Sequence, residues 1–372
     1  MKGLRKAAVL LVLLAVWLTI PAAMADKTIT MTFTGDVTLG GENYLQGRDY
    51  SFSGYAARFG YDYFFRNVAG LFREDDVTVI NLEGTLTDSS AQENTGKTYR
   101  FRAPRDFVKI LTGSSVEACC ITNNHVWDFG NQGFRSTHET LDEAQIGYFG
   151  VREVYVHEQD GIRIGFLALY SSEYSSNKQW CIDKIAALKA SGVNAVVFCF
   201  HMGTEYSPVH HESQERLANF AVDAGADLVI MHHPHVVQGI DIIKNRTVFY
   251  SLGNFCFGGN CKVRALESML VQAQFVFSDT GAYKGQRFAV YPAHISGTDP
   301  ESNFQPVLVR GEDAANVLQL IQFDTKFQLP DFDEERGSML LPFLPAHAGS
   351  MTVVDDDPGF GWAPEQPAPW RP

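Results

Sequence analysis

The sequence DLVIMHHPH, residues 227 to 235, joins a short strand to a group of histidines and is the best guide to the fold class. Residues 227 to 231 are mostly apolar, which predicts a buried strand. Three histidines follow within the next four residues, and Pro234 restricts the backbone between the last two. Three imidazoles this close together in a loop favour a bound metal ion over a purely structural role.

The same order, an apolar run followed by polar side chains, recurs along the first two thirds of the chain. Further strands are predicted at residues 27 to 34, 77 to 82, 116 to 121, 162 to 170 and 195 to 200. Helix-like stretches lie between several of them, at residues 61 to 72, 105 to 111, 133 to 145, 182 to 190 and 212 to 224. Alternating strands and helices predict a mostly parallel sheet with covering helices.

The pattern changes to hairpins after residue 231. Residues 236 to 243 and 247 to 251 are predicted strands separated by three polar residues, and residues 268 to 278 and 287 to 295 follow as further strands. An antiparallel second half joined to an alternating first half predicts an α/β fold, a sandwich of two sheets flanked by helices.

Side chains that can bind metal ions come directly after the predicted strands. They are Asp36, Asn81, Glu83, Asn123, Asn124, His125, Asp128, His201, Glu205 and the three histidines of residues 232 to 235. Taken singly, a Gly-Asp pair is often only a turn or a helix cap, and a lone histidine is often a core residue. Because ligands bind outside the carboxyl ends of strands in open α/β sheets, the recurrence predicts one shared crevice.

The residue types in these clusters indicate which ions to expect. Carboxylates, an amide oxygen and neutral imidazoles suit divalent cations of hard to borderline character, and the clusters contain no cysteine that would indicate a thiolate site. Two such cations about 4 Å apart would activate a water and hold both oxygens of a phosphoryl displacement. We therefore expect one or two divalent ions, among manganese, iron, zinc and magnesium.

The charge of the chain restricts its partners. The formal net charge is -13, and the 30 Lys and Arg residues show no basic stripe along the sequence. An acidic protein of this kind repels nucleic acid, so no nucleic-acid partner is expected. An anionic substrate must then be attracted by a local centre such as a bound metal ion.

The two ends of the chain differ from the middle. Residues 1 to 25 have a cationic start, an apolar middle and small residues at the end, which is the order of a secretory signal peptide. Cleavage after Ala25 or retention as an N-terminal anchor would both place the protein outside the cytoplasm, secreted or at the cell envelope. Residues 26 to 329 form the expected domain, and the Pro- and Asp-rich residues 330 to 372 predict a flexible tail.

The six cysteines give two separate predictions. Cys119 and Cys120 lie in an apolar run and are expected to be packed free thiols. Cys256 and Cys261 flank the turn-forming sequence Phe-Gly-Gly-Asn, so a disulfide that closes a hairpin there is geometrically possible in an oxidising compartment. The sequence leaves both states of this pair open.

Six motifs occur in an order that resembles a known family. They are Gly35-Asp36, Asn81-Leu82-Glu83-Gly84, Asn123-Asn124-His125-x-x-Asp128, His201-x-Gly203-x-Glu205-Tyr206, His233-Pro234-His235-x-x-Gln238 and Tyr250-Ser251-Leu252-Gly253-Asn254-Phe255. Residues 28 to 258 thereby resemble the CapA family of poly-γ-glutamate capsule synthesis proteins, which is related to the calcineurin-like metallophosphoesterases. The resemblance implies a four-layer α/β/β/α sandwich of the metallophosphoesterase type.

The resemblance also implies roles for single residues. The implied metal ligands are Asp36 and His235 at a first site, Asn124, His201 and His233 at a second site, and Glu83 as the bridge between them. The implied catalytic residues are His125, as proton donor to the leaving group, together with Asp128 and Glu205. The chain departs from the phosphoesterase pattern at Thr38, where a histidine is expected, and at Glu83, where an aspartate is expected. Glu205 could supply a compensating carboxylate.

Three functions follow as hypotheses. The first is a metal-dependent, phosphoesterase-like hydrolase that acts on a phosphoester or a γ-linked amide in the biosynthesis of a capsule or another cell-envelope polymer. The second is a non-catalytic component that binds an anionic polymer. The third is a scaffold for a membrane-bound polymer synthase. The histidine and carboxylate clusters favour the hydrolase, whereas Thr38 favours the binding component.

Overall fold

The computed structural model of the protein describes residues 25–346. Its strands are β1 (Lys27–Thr38), β2 (Val77–Leu82), β3 (Thr85–Leu86), β4 (Arg102–Ala103), β5 (Ala118–Cys120), β6 (Gly147–Phe149), β7 (Tyr155–Gln159), β8 (Ile162–Tyr170), β9 (Ala195–His201), β10 (Leu228–His232), β11 (Ile240–Ile243), β12 (Arg246–Phe249), β13 (Asn254–Phe257), β14 (Glu267–Phe277), β15 (Tyr283–His294), β16 (Val307–Leu308), β17 (Phe332–Asp333) and β18 (Ser338–Pro345). Its α-helices are α1 (Phe52–Phe59), α2 (Ala69–Glu74), α3 (Val108–Thr112), α4 (Gly130–Glu143), α5 (Tyr174–Ala190), α6 (Glu212–Ala224) and α7 (Gly311–Phe323). Short 3-10 turns occupy Asn43–Leu45, Tyr61–Tyr63, Arg105–Phe107 and Ser171–Glu173.

The strands form two large sheets and one small one. The wide sheet has the order β17-β18-β15-β14-β1-β2-β5-β6, with β13 paired to β1 and β16 paired to β15. The narrow sheet has the order β11-β12-β10-β9-β8-β7, and β3 pairs with β4. The predicted parallel strands are therefore divided between two sheets, because β7 and β8 form an antiparallel pair that begins the second sheet.

The two large sheets pack face to face. Met31 and Val79 of the wide sheet and Phe166 and Val197 of the narrow sheet belong to one buried cluster between the sheets. Each fully buried side chain of this kind contributes about 1.5 to 3 kcal/mol. Strands in such a position are covered on both faces, which explains why β9 reads as the uninterrupted apolar run AVVFCF before its final histidine.

Helices cover the outer face of each sheet. Helices α1 to α4 contribute to the cluster on the wide sheet, for example through Phe52 and Leu141. Helices α5 and α6 cover the narrow sheet, for example through Ile185 and Leu217. The predicted α/β class with four layers in the order α/β/β/α is thus confirmed. No helix of residues 25–346 is long and apolar enough to cross a membrane.

The C-terminal boundary predicted at residue 329 is wrong. Strand β18 pairs antiparallel with β15, and Met339 on it is fully buried. The folded part therefore reaches at least residue 346, because β18 extends the wide sheet beyond β15. The expected signal peptide, apart from Ala25, and the part of the expected tail after residue 346 lie outside the described residues.

All six cysteines are free thiols in the structure. Cys119 and Cys120 are buried, as the sequence predicts. Cys256 lies on β13, which pairs in parallel with β1 and does not form one arm of a hairpin with Cys261. Its thiol donates to the carbonyl of Phe304 at 3.3 Å.

Candidate metal centre

The strand ends bring the predicted site residues together at one edge of the sandwich. In the wide sheet, Asp36 on β1 lies beside Asn81 on β2 and Asn254 on β13. In the narrow sheet, His201 on β9 lies beside His232 on β10. Both sheets present the carboxyl ends of their parallel strands to the same crevice, and the loops that follow these strands supply the remaining side chains.

One group of donor atoms surrounds the Nε2 atom of His201. This atom lies 2.8 Å from Asn124 Oδ1, 3.0 Å from His233 Nδ1 and 3.7 Å from Glu83 Oε1. The four residues are those that the sequence assigns to the second site and to the bridge. Two nitrogens, an amide oxygen and a carboxylate oxygen therefore face one point.

A second group shares Glu83 with the first. Asp36 Oδ2 lies 3.1 Å from His235 Nδ1, and Glu83 Oε1 lies 3.9 Å from His235 Nε2. One donor atom from each of these three residues lies within 4.8 Å of the others. Glu83 is thus the carboxylate between the two groups.

Glu83 also tests whether a cation fits this place. It is fully buried, and neither of its carboxylate oxygens has a hydrogen-bond partner among residues 25–346. Burial raises the pKa of Glu83 to about 8, and the negative charges of Asp36 and Asp128 add to this effect. A buried carboxylate without partners is costly, and a bound divalent cation would neutralise it. The donors therefore fit a divalent metal ion.

The histidines around Glu83 differ in their protonation. Burial and the neighbouring imidazoles lower the pKa of both His201 and His233, which leaves these rings neutral and able to ligate a metal. Burial also acts to lower the pKa of His235, but Glu83 and Asp36 outweigh it and raise the pKa to about 9. A metal ion bound here would have to displace a proton from His235.

Asp36 is held as an anion by its neighbours. Burial alone would raise the pKa of Asp36, but hydrogen bonds with His232 and His235 hold it well below its usual range. Asn81 Nδ2 donates to Asp36 Oδ1 at 2.7 Å and lies 3.3 Å from His201 Nδ1. Asn81 therefore links the two donor groups. The sequence analysis included Asn81 in a motif but did not predict this role.

Thr38, which stands where the phosphoesterase pattern has a histidine, is the last residue of β1, the strand that carries Asp36. The hydroxyl of Thr38 is buried and has no hydrogen-bond partner among the described residues. Glu205 lies elsewhere, on the solvent side of the crevice, where it forms a further three-donor group with His233 and His235 within 4.8 Å. The geometry thus brings Glu205 to His233 and His235, two of the candidate ligands, next to the group that lacks the expected histidine.

His125 and Asp128 form a pair at the rim of the donor groups. His125 Nδ1 lies 2.6 Å from Asp128 Oδ2, and its Nε2 lies 3.7 Å from Glu83 Oε1. Burial lowers the pKa of His125, against the opposing effect of Asp128. The carboxylate of Asp128 therefore fixes one ring nitrogen of His125, and the other ring nitrogen is directed towards Glu83.

Lys97 is a residue of this site that the sequence analysis missed. It lies in the loop between β3 and β4, pairs with Asp128, and donates to the carbonyl of Asn124 at 2.7 Å. Lys97 belongs to none of the sequence motifs, and it is 31 residues away from Asp128 in the chain. Lys97 tethers this loop over the crevice.

The loop after β10 holds its histidines in an unusual conformation. His233 and His235 have positive φ angles of 102° and 59°. Two backbone hydrogen bonds support the loop, from Met202 to the carbonyl of His232 and from Tyr206 to the carbonyl of Pro234. Non-glycine residues in such conformations cluster at functional sites, where the surrounding structure enforces them.

The comparison with protein families gives a match over residues 30–259, which is more than half of the chain. The matching family model is described as bacterial capsule synthesis protein PGA_cap. This chain belongs to the PGA_cap family. The CapA resemblance found in the sequence motifs is thereby confirmed at the level of the family.

Individual PGA_cap relatives cover different shares of the chain. The capsule biosynthesis protein CapA of Bacillus anthracis is 29% identical over 66% of this chain, and the match spans 64% of that protein's length. The PGA biosynthesis protein CapA of Bacillus subtilis is 26% identical over 77% of this chain and 78% of its own length. A probable polyglutamine synthesis accessory protein of Mycobacterium tuberculosis is 27% identical over 48% of this chain and 55% of its own.

The PGA_cap match contains the whole donor constellation. All the residues described above, from Asp36 to Asn254, lie between residues 30 and 259, whereas β14 to β18 lie beyond the matched region. Asn254, from the last of the six sequence motifs, also contacts the site, because its Oδ1 lies 2.9 Å from His235 Nδ1.

Proposed function

We propose that the protein is an exported, metal-dependent hydrolase of the phosphoesterase-like type that acts in the synthesis of an anionic capsule or cell-envelope polymer. The observation that carries the proposal is Glu83, a fully buried carboxylate that has no hydrogen-bond partner within residues 25–346 and lies among histidine and aspartate donors. The contact with His235 Nε2 at 3.9 Å is too long for a hydrogen bond, and a bound divalent cation would neutralise Glu83 directly.

The donor set suggests two divalent ions, with Glu83 between them. Asp36 and His235 would hold one ion, and Asn124, His201 and His233 would hold the other. Bound divalent cations supply an activated water and polarise the bond that is attacked. The donor atoms lie 2.8 to 3.9 Å apart, close enough for several of them to bind the same ion.

The chain's own residues would manage the proton. His125 Nε2 faces the centre, and Asp128 fixes the opposite ring nitrogen. This arrangement suits a group that delivers a proton to a leaving group. Lys97 would hold Asp128 and the loop between β3 and β4 in place.

The relatives suggest the polymer and its partners. The printed names of the Bacillus proteins refer to capsule and PGA biosynthesis, and that of the Mycobacterium protein to polyglutamine synthesis. We propose a poly-γ-glutamate-like polymer, or a phosphoester precursor of one, as substrate, and a membrane-bound polymer synthase as partner. Export would rest on the expected signal peptide in residues 1 to 25.

A second candidate function is a non-catalytic component that binds the polymer or acts as a scaffold for the synthase. Thr38 favours this alternative, because its buried hydroxyl stands where a histidine ligand is expected and has no partner within residues 25–346. With fewer ligands, the first ion would bind more weakly than the second.

Metal analysis of the purified protein tests the proposal. Elemental analysis should find about two divalent ions per chain, and hydrolysis of a chromogenic phosphodiester or a γ-glutamyl oligomer should depend on added manganese. The His233→Ala/His235→Ala double variant should lose both, whereas His294→Ala on β15 should keep both. Metal binding without hydrolysis of either substrate would favour the binding component, and a wild type that binds no metal would overturn the proposal.

A further inference from the structure

A cavity of about 500 Å³ lies beside the candidate metal centre, at the carboxyl ends of β8 and β9. Its volume is in the range of small-molecule sites, about 300 to 1,000 Å³. Helices α5 and α6 begin at its walls. Among the side chains that line it are Ser171, Tyr174, Met202, Thr204, Arg216 and Leu217.

The cavity and the metal centre share one short segment of chain. His201 and Glu205 contribute to the donor groups, whereas Met202 and Thr204 line the cavity. Only residues 202 to 204 lie between His201 and Glu205, and three residues span at most about 10 Å. A ligand in the cavity could therefore reach the metal centre with its next unit.

Gly203 keeps these two places close together. Its φ angle is +119°, and a Cβ added to it would lie 2.9 Å from Cγ of Pro234. Any larger residue would push the loop after β9 away from the histidine loop after β10. The absence of a side chain at Gly203 thus lets the two loops pack directly against each other.

The chemistry of the cavity combines an apolar floor with a cationic rim. Met202 and Leu217 are buried and form the apolar part. Arg216 makes an ion pair with Glu212 at 3.8 Å in which both side chains are largely exposed. Such a pair is weak, so the guanidinium stays free to bind a carboxylate in a bidentate manner.

The N-terminus of α6 does not supply the anion contacts here. The side chain of His211 accepts a hydrogen bond from the Ser213 amide, and the Gln214 amide donates to the carbonyl of His211. These amides are therefore occupied by the helix's own cap. The recognition must come from side chains, above all from Arg216 and the hydroxyl of Thr204.

We propose that this cavity is a subsite for one carboxylate-bearing unit of the polymer, of the γ-glutamyl type. The inference rests on the proposed function, because the adjoining bond of the chain would lie at the metal centre. The two methylenes of a γ-glutamyl unit would lie on Met202 and Leu217. Its free carboxylate would bind Arg216.

Binding of a fluorescently labelled γ-glutamyl oligomer to the full chain, in the presence of manganese, tests the subsite. Arg216→Ala should weaken binding by about tenfold or more, since hydrogen bonds to charged groups contribute about 1.5 to 3 kcal/mol. Arg216→Lys should restore part of the affinity. The matched control is Arg135→Ala, an exposed arginine on α4. Metal content should be unchanged in all three variants.

Competition separates the possible sources of the anion. Glutarate should displace the oligomer in the wild type and not in Arg216→Ala, whereas inorganic phosphate, which would act at the metal centre, should displace it to the same extent in both. Displacement by phosphate that depends on Arg216, with no effect of glutarate, would overturn the proposal. Wild-type affinity in Arg216→Ala, or no binding of the oligomer to the wild type, would also overturn it.

The subsite and the hydrolase can fail separately. If Arg216→Ala binds normally while His233→Ala/His235→Ala loses metal and hydrolysis, the subsite is wrong and the proposed function stands. If the wild type binds no metal but holds the oligomer through Arg216, the hydrolase is wrong and the subsite stands.

Discussion

At the scale of single residues, Glu83 is expected to lower the stability of the metal-free protein and to be required for metal binding. Its carboxylate has no hydrogen-bond partner in the described part of the chain, and burial raises its pKa to about 8 from an ordinary value of 4.5. Because the folded state resists ionisation, the metal-free protein should lose stability as the pH rises from about 4.5 towards 8. A bound cation would remove this penalty.

The variant Glu83→Gln should therefore stabilise the metal-free protein while it abolishes metal binding. We expect the free energy of unfolding in EDTA at pH 8 to rise by about 1 kcal/mol or more, since a buried charge is replaced by a neutral group. Urea denaturation and elemental analysis measure the two effects.

Glu212→Gln is the control for this variant, because the side chain of Glu212 is 85% exposed. It should change neither the stability nor the metal content by a measurable amount. A Glu83→Gln protein that is less stable than the wild type in EDTA would contradict the account of Glu83.

At the scale of elements, His210 joins the loop before α6 to the residue after α7. Its Nδ1 lies 2.8 Å from Asp324 Oδ2, and its Nε2 lies 3.1 Å from Glu215 Oε1. Burial acts to lower the pKa of His210, but the hydrogen bonds with these two carboxylates raise it above 6.5. The protonated ring therefore holds α7 against the end of the narrow sheet.

The variant His210→Gln should reveal this contact through its dependence on pH. A raised histidine pKa contributes stability that is fully present below pH 6.5 and is lost as the pH rises through the folded pKa. In urea denaturation, the wild type should exceed His210→Gln by about 1 kcal/mol at pH 6 and by less at pH 8.5. His294→Gln should show no such difference, and an equal gap at both pH values would contradict the charge-based explanation.

At the scale of the whole molecule, the wide sheet depends on the last described strand. Strand β18 pairs with β15, and α7 packs into the same core beside it. Val317 and Ile321 of α7 and Met339 of β18 are buried in the core cluster between the two large sheets. Helix α7 and strand β18 thus belong to the core that supports the candidate metal centre.

Two substitutions on β18 test this role. Met339 is fully buried and Phe343 is 46% exposed on the same strand. Met339→Ala should lower the free energy of unfolding by about 2 to 5 kcal/mol, as for other large-to-small changes in a core. Phe343→Ala should cost less than about 1 kcal/mol. Equal effects in urea denaturation would mean that β18 is not integral to the core.

Much of the fold could be predicted because each buried segment carries its own signal. The bounds predicted for β2, β8 and α6 agree with those in the structure, since apolar runs and caps mark them locally. The ligand candidates were also visible, because polar residues that directly follow apolar strands are conspicuous. The sequence analysis missed Lys97, which no motif marks, and β18, whose apolar residues lie within a Pro- and Asp-rich stretch.

The sequence by itself determined most of the long strands, most helices and most of the residues that line the crevice. Only the tertiary structure decided which strands share a sheet, for example that β14 lies beside β1 although most of the domain separates them. It also decided that Glu83 has no hydrogen-bond partner among the described residues and that a cavity begins at Met202, next to His201. The physical reason is that periodicity reports whether a segment is buried, whereas its neighbours are chosen by packing between residues distant in the chain.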